Sequence, residues 1–520
     1  MSEIVNPILP GFHPDPSIIR VGGDYYIATS TFEWFPGVEI HHSRDLLHWE
    51  LAARPLNRVS QLDMRGIPCS CGVWAPCLSY SNGVYYLIYT VVRSTGGAFK
   101  DTDNYLVTSA DLYGEWSDPV YLNSTGFDPS LFHDEDGRKW LVNMSWDFRG
   151  GKNSFAGVLL QEYSVRQKKL IGKPINIFKG SHYGKTEGPH LYRHGGWYYL
   201  IAAEGGTGLT HAVTMARSRS ISGPYEIHPQ NPVLTSRYNP GLILKKAGHA
   251  DLVETENGEW YMVHLCSRPL DGYSVLGRET SIQKVEWGAD GWLRLQGGGC
   301  EPRLKVPAPD LPPFAPKNAP ERDHFDSDVL NPHFCTLRMP LGPETLSLTE
   351  RPGWLRLHGR ESLHSAYRQA LVARRQQSFT YTAETKVEFE PQDFRQMAGL
   401  ICLHDLDNYF YLKIGGDEEQ GKTISVLSCD NGRYTFGGEV SAKGRTAVYL
   451  RAHADHAGLW FYFSFDGENW RHIGEVYDMR VLSDEHSGCS HFTGAFVGLC
   501  CQDLSGLGRY ADFDYFDYKE

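Results

Sequence analysis

Five times within its first 262 residues the chain repeats one pattern: a short segment holding an acidic or small residue, a polar turn with glycine, and an aromatic strand. The aromatic strands open Tyr25-Tyr26-Ile27, Tyr85-Tyr86-Leu87, Lys139-Trp140-Leu141, Tyr198-Tyr199-Leu200 and Trp260-Tyr261-Met262. The segments before them are Pro14-Asp15-Pro16-Ser17, Ala75-Pro76-Cys77-Leu78, Asp128-Pro129-Ser130-Leu131, Glu187-Gly188-Pro189-His190 and His249-Ala250-Asp251-Leu252. The period of roughly 53 to 62 residues is the scale of a four-stranded propeller blade with its loops. Five units predict a five-bladed β-propeller.

In a propeller the first strand of every blade lines the central channel, so residues at the start of those strands converge on one axis. Asp15, Asp128 and Glu187, far apart in sequence, are thereby predicted to share one cavity. Asp15 stands between two prolines, which stiffen the backbone on either side of it and suit a carboxylate that must point one way. Taken alone, such a segment reads first as a polar turn that starts a strand. Three acids at three blade entrances make a site, because burial and mutual repulsion drive their pKa values apart.

The repeat ends near residue 305. A proline-rich stretch, Val306-Pro307-Ala308-Pro309-Asp310-Leu311-Pro312-Pro313, reads as a semi-rigid spacer over 306–322. Beyond it, 323–520 alternates apolar and polar residues at the period of strands, as in Leu355-Arg356-Leu357-His358 and Trp460-Phe461-Tyr462-Phe463. Helical periodicity is nearly absent, which predicts an all-β second domain, a β-sandwich. The expected organisation is a propeller over 1–305, the linker, and a sandwich over 323–520. Alone, that sandwich would look like a carbohydrate-binding module.

The net charge of -12 argues against nucleic acid or an anionic membrane as the main partner. No apolar run approaches the length of a membrane span. Residues 1–10 have neither a basic start nor an apolar core, so the expected location is cytoplasmic, with the 11 cysteines as thiols rather than disulfides. Cys69-Ser70-Cys71 with Cys77 lacks the spacing of a zinc site. The glycines of Glu204-Gly205-Gly206-Thr207 make a turn, since no Lys-Ser/Thr of a phosphate loop follows. Trp74 is either core packing or a platform for a sugar ring. His249 is either a satisfied structural histidine or part of the site.

Three segments, Pro14-Asp15-Pro16-Ser17, Gly126-Phe127-Asp128-Pro129-Ser130 and Thr186-Glu187-Gly188-Pro189-His190, resemble the signature segments of glycoside hydrolase family 43. Asp323-His324-Phe325-Asp326 and Ala511-Asp512-Phe513-Asp514-Tyr515-Phe516 resemble the C-terminal concanavalin-like jelly roll of that family's two-domain β-xylosidases. The resemblance implies an exo-acting, inverting hydrolase that releases D-xylose from the non-reducing ends of β-1,4-xylooligosaccharides, with α-L-arabinofuranosidase as a side activity. The alternatives are a mainly arabinofuranoside-cleaving enzyme of the same fold and a non-catalytic carbohydrate-binding protein. The resemblance implies Asp15 as general base, Glu187 as general acid and Asp128 as the third carboxylate; the acid role needs a raised Glu187 pKa, and the Asp128 charge is its expected cause. It implies Phe32, Trp74, Phe127, Thr207, His249 and Arg278 as substrate-binding residues, and Phe492 as an aromatic contribution from the sandwich. It also implies a homo-oligomer, a tetramer above all. No cofactor is required by the mechanism; calcium in the channel is the one candidate, with His249 as the nearest ligand.

Overall fold

The five aromatic runs become the second strands of five four-stranded antiparallel sheets in a computed structural model that describes residues 2–487 and 492–520. In blade one the spatial order is Ser17–Val21, Asp24–Thr29, Glu39–Ser43 and Glu50–Ala53. Blade two runs Gly72–Ser81, Val84–Ser94, Asp101–Ser109, Val120–Asn123, and blade three Ser130–His133, Lys139–Trp146, Phe155–Ser164, Lys169–Phe178. Blade four runs Glu187–His194, Trp197–Glu204, Ala212–Ser218, Glu226–Ile227, with Leu234–Thr235 added beside its third strand. Blade five is Lys245–Glu254, Trp260–Ser267, Glu279–Trp287 and Leu293–Leu295.

The first strands pack side by side from blade one through blade five and back to blade one, which closes the ring. Inner strands are buried on both faces because each blade is covered by two others, whereas the outermost strand of blade four is exposed. That burial explains why the second strands read as aromatic and β-branched runs rather than as an alternation.

Closure uses the chain's first residues. Glu3–Val5 pairs antiparallel with Lys305–Pro307, and Asn6 is held from three sides. Its Nδ2 donates to Ile282 O at 2.8 Å and Arg303 O at 2.9 Å, and its Oδ1 accepts from Ile282 N at 2.8 Å. Ile4, Ile8, Leu9 and Val306 complete an apolar cluster with Tyr25 and Ile27 of blade one and Tyr261 and Ile282 of blade five.

The stretch expected as a spacer carries its own anchors. Ala308 and Leu311 pack on that same cluster, Phe314 N donates to Asp45 Oδ2 at 2.9 Å, and Lys317 N donates to Glu50 Oε2 at 2.6 Å. Residues 278–317 thus fold as part of the first compact unit, with 1–62 and 71–268.

The second unit consists of Asn318–Glu520 with two short segments, Asp63–Ser70 and Pro269–Gly277. It is a two-sheet sandwich. One sheet is centred on Tyr510–Lys519, Thr380–Glu388 and Ala447–Asp455; the other orders Ala370–Arg375, Phe496–Asp503, Gln396–Leu403, Tyr409–Asp417, Gly421–Asp430 and Arg433–Ser441. Thr380–Glu388 and Ala447–Asp455 alternate buried and partly exposed residues, as a strand with one wet face must. Val387 and Leu450 from the first sheet meet Leu400 and Val497 from the second in one core. Among the described residues no helix is long and apolar enough to cross a membrane.

Candidate active site

The blade entrances share an unusual backbone. Asp15, Ala75, Asp128, Gly188 and His249 occupy the same place in blades one to five, and all five have positive φ, between 37° and 54°. A left-handed residue at this point kinks the chain as it enters the first strand, and in blades two, four and five the strand register slips there. Such a conformation is costly for Ala and His and is the kind of local strain that clusters at functional sites. The five positions just before form a second ring: Pro14, Trp74, Phe127, Glu187 and Gly248. The three acids are therefore not equivalent. Asp15 and Asp128 belong to the left-handed ring, and Glu187 belongs to the ring beside it.

Glycine in blade four has a steric reason. A Cβ on Gly188, besides straining φ at 54°, would lie 3.0 Å from His249 Cε1. Gly248 is required too, because a side chain there would run into the ring of His211.

Asp15 is buried and tightly held. Ser30 Oγ donates to its Oδ2 at 2.7 Å, Arg278 Nη1 to its Oδ1 at 2.7 Å, and His249 Nδ1 lies 3.8 Å from Oδ1. Burial acts to raise its pKa; the charge of Arg278, the His249 ring and the Ser30 hydroxyl outweigh burial and hold it below the usual carboxylate value. Burial pushes the His249 ring down to about 4, so it is neutral at ordinary pH and Arg278 carries the ionic part of this balance.

Glu187 moves the opposite way. Burial first, then the Asp15 charge, push it up to about 7 against the opposing pull of Arg278, Lys185 and Lys100. Asp128 is also raised well above its ordinary value, by burial and then by the charges of Glu187 and Asp15, although Gly188 N donates to its Oδ2 at 3.1 Å. The expected cause of the Glu187 shift was the Asp128 charge. Burial and Asp15 come first because Asp128 is itself driven toward its neutral form. The cluster holds one carboxylate firmly ionised and two that favour a proton.

Around the acids stand the expected residues of the first unit, Arg278, Thr207, Phe32, Trp74 and Phe127. Arg278 Nη1 also reaches Thr207 Oγ1 at 3.4 Å, and its guanidinium carbon lies 5.3 Å from the centre of the Phe32 ring. Phe32, Trp74 and Phe127 form an aromatic arc, with centroids 5.7 Å apart for the first pair and 5.6 Å for the second. Phe32 is itself left-handed, at φ 53°, and is pinned by mutual backbone bonds with Val73 at 3.0 Å. Phe492 belongs to the second unit, where its amide donates to Ser70 Oγ at 3.0 Å.

Several contributors escape a reading by motif. Ser30 joins two blade entrances, since Ala75 N donates to its Oγ at 2.7 Å. Glu204, fully buried, accepts from Ser181 N at 2.7 Å and from Thr186 Oγ1 at 2.6 Å, which fixes the turn carrying Glu187. Trp146 extends the aromatic arc, 6.2 Å from Phe127. All three lie at the ends of second strands, the place opposite each entrance, and that shared position is the signal in the sequence.

Calcium takes six to eight oxygen ligands. The charged and titratable groups acting on His249 are instead the Arg278 guanidinium, the His190 ring and Asp15, which is already bonded to Arg278. They do not fit a resident calcium ion. Among the described residues one group of three has ligand atoms close enough to share an ion, His13, Glu39 and His41, and there the Arg54 guanidinium ion-pairs with Glu39.

Comparison with known proteins agrees with this geometry. Residues 4–293 match the model of glycosyl hydrolases family 43, and 322–519 match a β-xylosidase C-terminal concanavalin A-like domain. A β-xylosidase of Bacillus subtilis (strain 168) is 51% identical over 100% of both chains. A xylosidase/arabinosidase 43B of Humicola insolens is 49% identical, over 100% of this chain and 98% of its own. The crystal structure of a xylan β-1,4-xylosidase from Bacillus halodurans C-125 superposes with a TM-score of 0.98 at 55% identity, over 99% of this chain and 100% of the other. An axial trio of buried acids with opposed proton affinities, in a ring of five blades followed by that sandwich, makes this chain a member of glycoside hydrolase family 43.

Proposed function

We propose that the protein removes single D-xylose residues from the non-reducing ends of β-1,4-xylooligosaccharides with inversion at the anomeric carbon. The observation that carries this reading is the placement of Asp15 and Glu187 at two entrances of one five-bladed ring, where Ser30 and Arg278 donate to Asp15 while burial and the Asp15 charge raise Glu187. Inverting hydrolysis needs one carboxylate ready to take a proton from water and one carboxylic acid ready to give a proton to the leaving oxygen. Asp15, held ionised by Arg278 and Ser30, accepts a proton from water as the water oxygen bonds to C1. Glu187, kept protonated near neutral pH, donates its proton to the glycosidic oxygen as the C1–O bond breaks. The sugar leaves as the α-anomer, and each carboxyl group regains its starting state by exchange with solvent.

Arg278 and Thr207 face the sugar hydroxyls in this scheme, and Phe32, Trp74 and Phe127 wall the ring. Asp128, driven toward its neutral form, offers an O–H to the substrate, while burial and the Asp15 charge keep Glu187 from ionising early. A side activity on α-L-arabinofuranosides is supported by the name of the Humicola insolens relative. No disulfide joins cysteines among the described residues, which favours a reducing compartment such as the cytoplasm. The tetramer belongs to this proposal as well and is read from sedimentation of the intact chain.

The test is the proton NMR spectrum of xylotriose during the first turnovers. The expected first product is α-xylose, absent with Asp15→Gly, a substitution that the left-handed backbone at 15 accepts without strain. β-Xylose as first product would mean retention and would remove Asp15 from the base role. No release of xylose, with cleavage of arabinofuranosides, would give the preference to the other sugar.

A further inference from the structure

On the hairpins of blades two and three, beyond the aromatic arc, two phenylalanines stand in the open. Phe99 is 63% exposed and Phe148 53%, and their ring centroids are 4.9 Å apart. Phe99 sits in the hairpin between Val84–Ser94 and Asp101–Ser109 of blade two; Phe148 sits in the hairpin between Lys139–Trp146 and Phe155–Ser164 of blade three. Both hairpins follow second strands, so both rise from the end of the ring where the acids lie. The pairing fixes this directly: Met144 N donates to Phe127 O at 3.1 Å and Trp146 N to Thr125 O at 3.0 Å, placing Trp146 beside the entrance that carries Asp128.

The pair continues the arc. Trp146 lies 6.2 Å from Phe127, and its Nε1 donates to Ala98 O at 3.0 Å, next to Phe99. Lys100 Nζ sits 4.6 Å from the centre of the Trp146 ring, on the other side of Phe99 in sequence. Aromatic side chains thus run from the acids, through Phe127 and Trp146, to Phe99 and Phe148 at the surface. Pyranose rings present C–H bonds on their faces, which pack on the electron-rich face of an aromatic ring. Two large apolar rings left open to water at the rim of a sugar-cleaving site call for an occupant of that kind.

From this continuity we infer that Phe99 and Phe148 form a platform for the leaving part of the substrate, at the sugar beyond the one that flanks Trp146. The inference rests on the reading of the site as a xylooligosaccharide hydrolase. Its consequence is a preference by length. Xylobiose places one sugar at the acids and one beside Trp146 and does not reach the platform; xylotriose and xylotetraose do.

The experiment compares kcat/KM of the intact protein and of the double variant Phe99→Ser, Phe148→Ser on xylobiose, xylotriose and xylotetraose. The expected result is a rate on xylobiose within about twofold of the parent, as for surface substitutions generally. On the two longer substrates kcat/KM falls about three- to tenfold, through KM. The unchanged xylobiose rate also shows that the variant folds. An equal fall on all three substrates, or no fall on any, would overturn the platform. So would a change in sedimentation with the length preference intact, which would assign the pair to contact between copies of the chain. Failure of the underlying reading is seen separately, as an unsubstituted protein that releases no xylose from xylobiose.

Discussion

Asp15 and Glu187 are both buried in the same channel mouth, and their neighbours separate them. Arg278 and Ser30 surround Asp15 with donors, while Glu187 faces the charge of Asp15 with its cationic neighbours only partly compensating. Activity should therefore follow a bell. It is lost as pH falls through the depressed Asp15 pKa, because the base takes up a proton, and lost as pH rises through about 7, because the acid gives up its own. Ser30→Ala removes a donor to the ionised form of Asp15. The acidic limb of kcat/KM should move to higher pH while the alkaline limb stays, and stability should drop by about 1–2 kcal/mol because Ala75 N loses its acceptor. A pH profile and a denaturant titration of that one variant check both. At this scale the sequence was readable where chemistry sits beside proline: Asp15 and Asp128 stand out from their surroundings. Ser30 and Glu204 are ordinary polar residues at strand ends, and only the fold shows which acids they hold.

The blade entrance is the element that turns a repeat into a site. Its left-handed residue precedes proline in four blades and alanine in blade five, so the kink is common to all while the side chain is free to differ. Gly188→Ala tests how much depends on it. With φ at 54° and His249 at 3.0 Å, the added methyl should cost about 1–2 kcal/mol of stability and displace the imidazole from Asp15. Thermal unfolding and kcat/KM should both report the change, with the larger fractional loss in kcat/KM. The repeat was legible because the aromatic second strands recur with their turns. The offset of Glu187 by one position was not, since Glu-Gly-Pro and Asp-Pro-Ser look interchangeable until the backbone shows that Gly188, and not Glu187, is the partner of Asp15.

At the scale of the whole molecule, alternation in 323–520 predicted two-sided strands, and the sandwich has them. The proline-rich stretch was harder to read. Its composition describes stiffness, whereas the anchors that hold it, Asp45 and Glu50, lie some 270 residues earlier in the chain. Ring closure depends on contacts of equal reach. Asn6→Ala would leave Ile282 N and Ile282 O without their side-chain partner and take from Arg303 O one of its two donors, Gln283 Nε2 being the other, at a cost of about 2–3 kcal/mol, measurable as a lower urea midpoint with the slope unchanged. The two adjacent rings of positions at the blade entrances have a consequence for descent. Ten positions are addressed by a backbone that every blade specifies for itself, and acids fill three of them. A lineage built by duplicating blades can therefore rewrite its chemistry one address at a time, exchanging an alanine here or a histidine there, while the scaffold that presents each address is inherited unchanged.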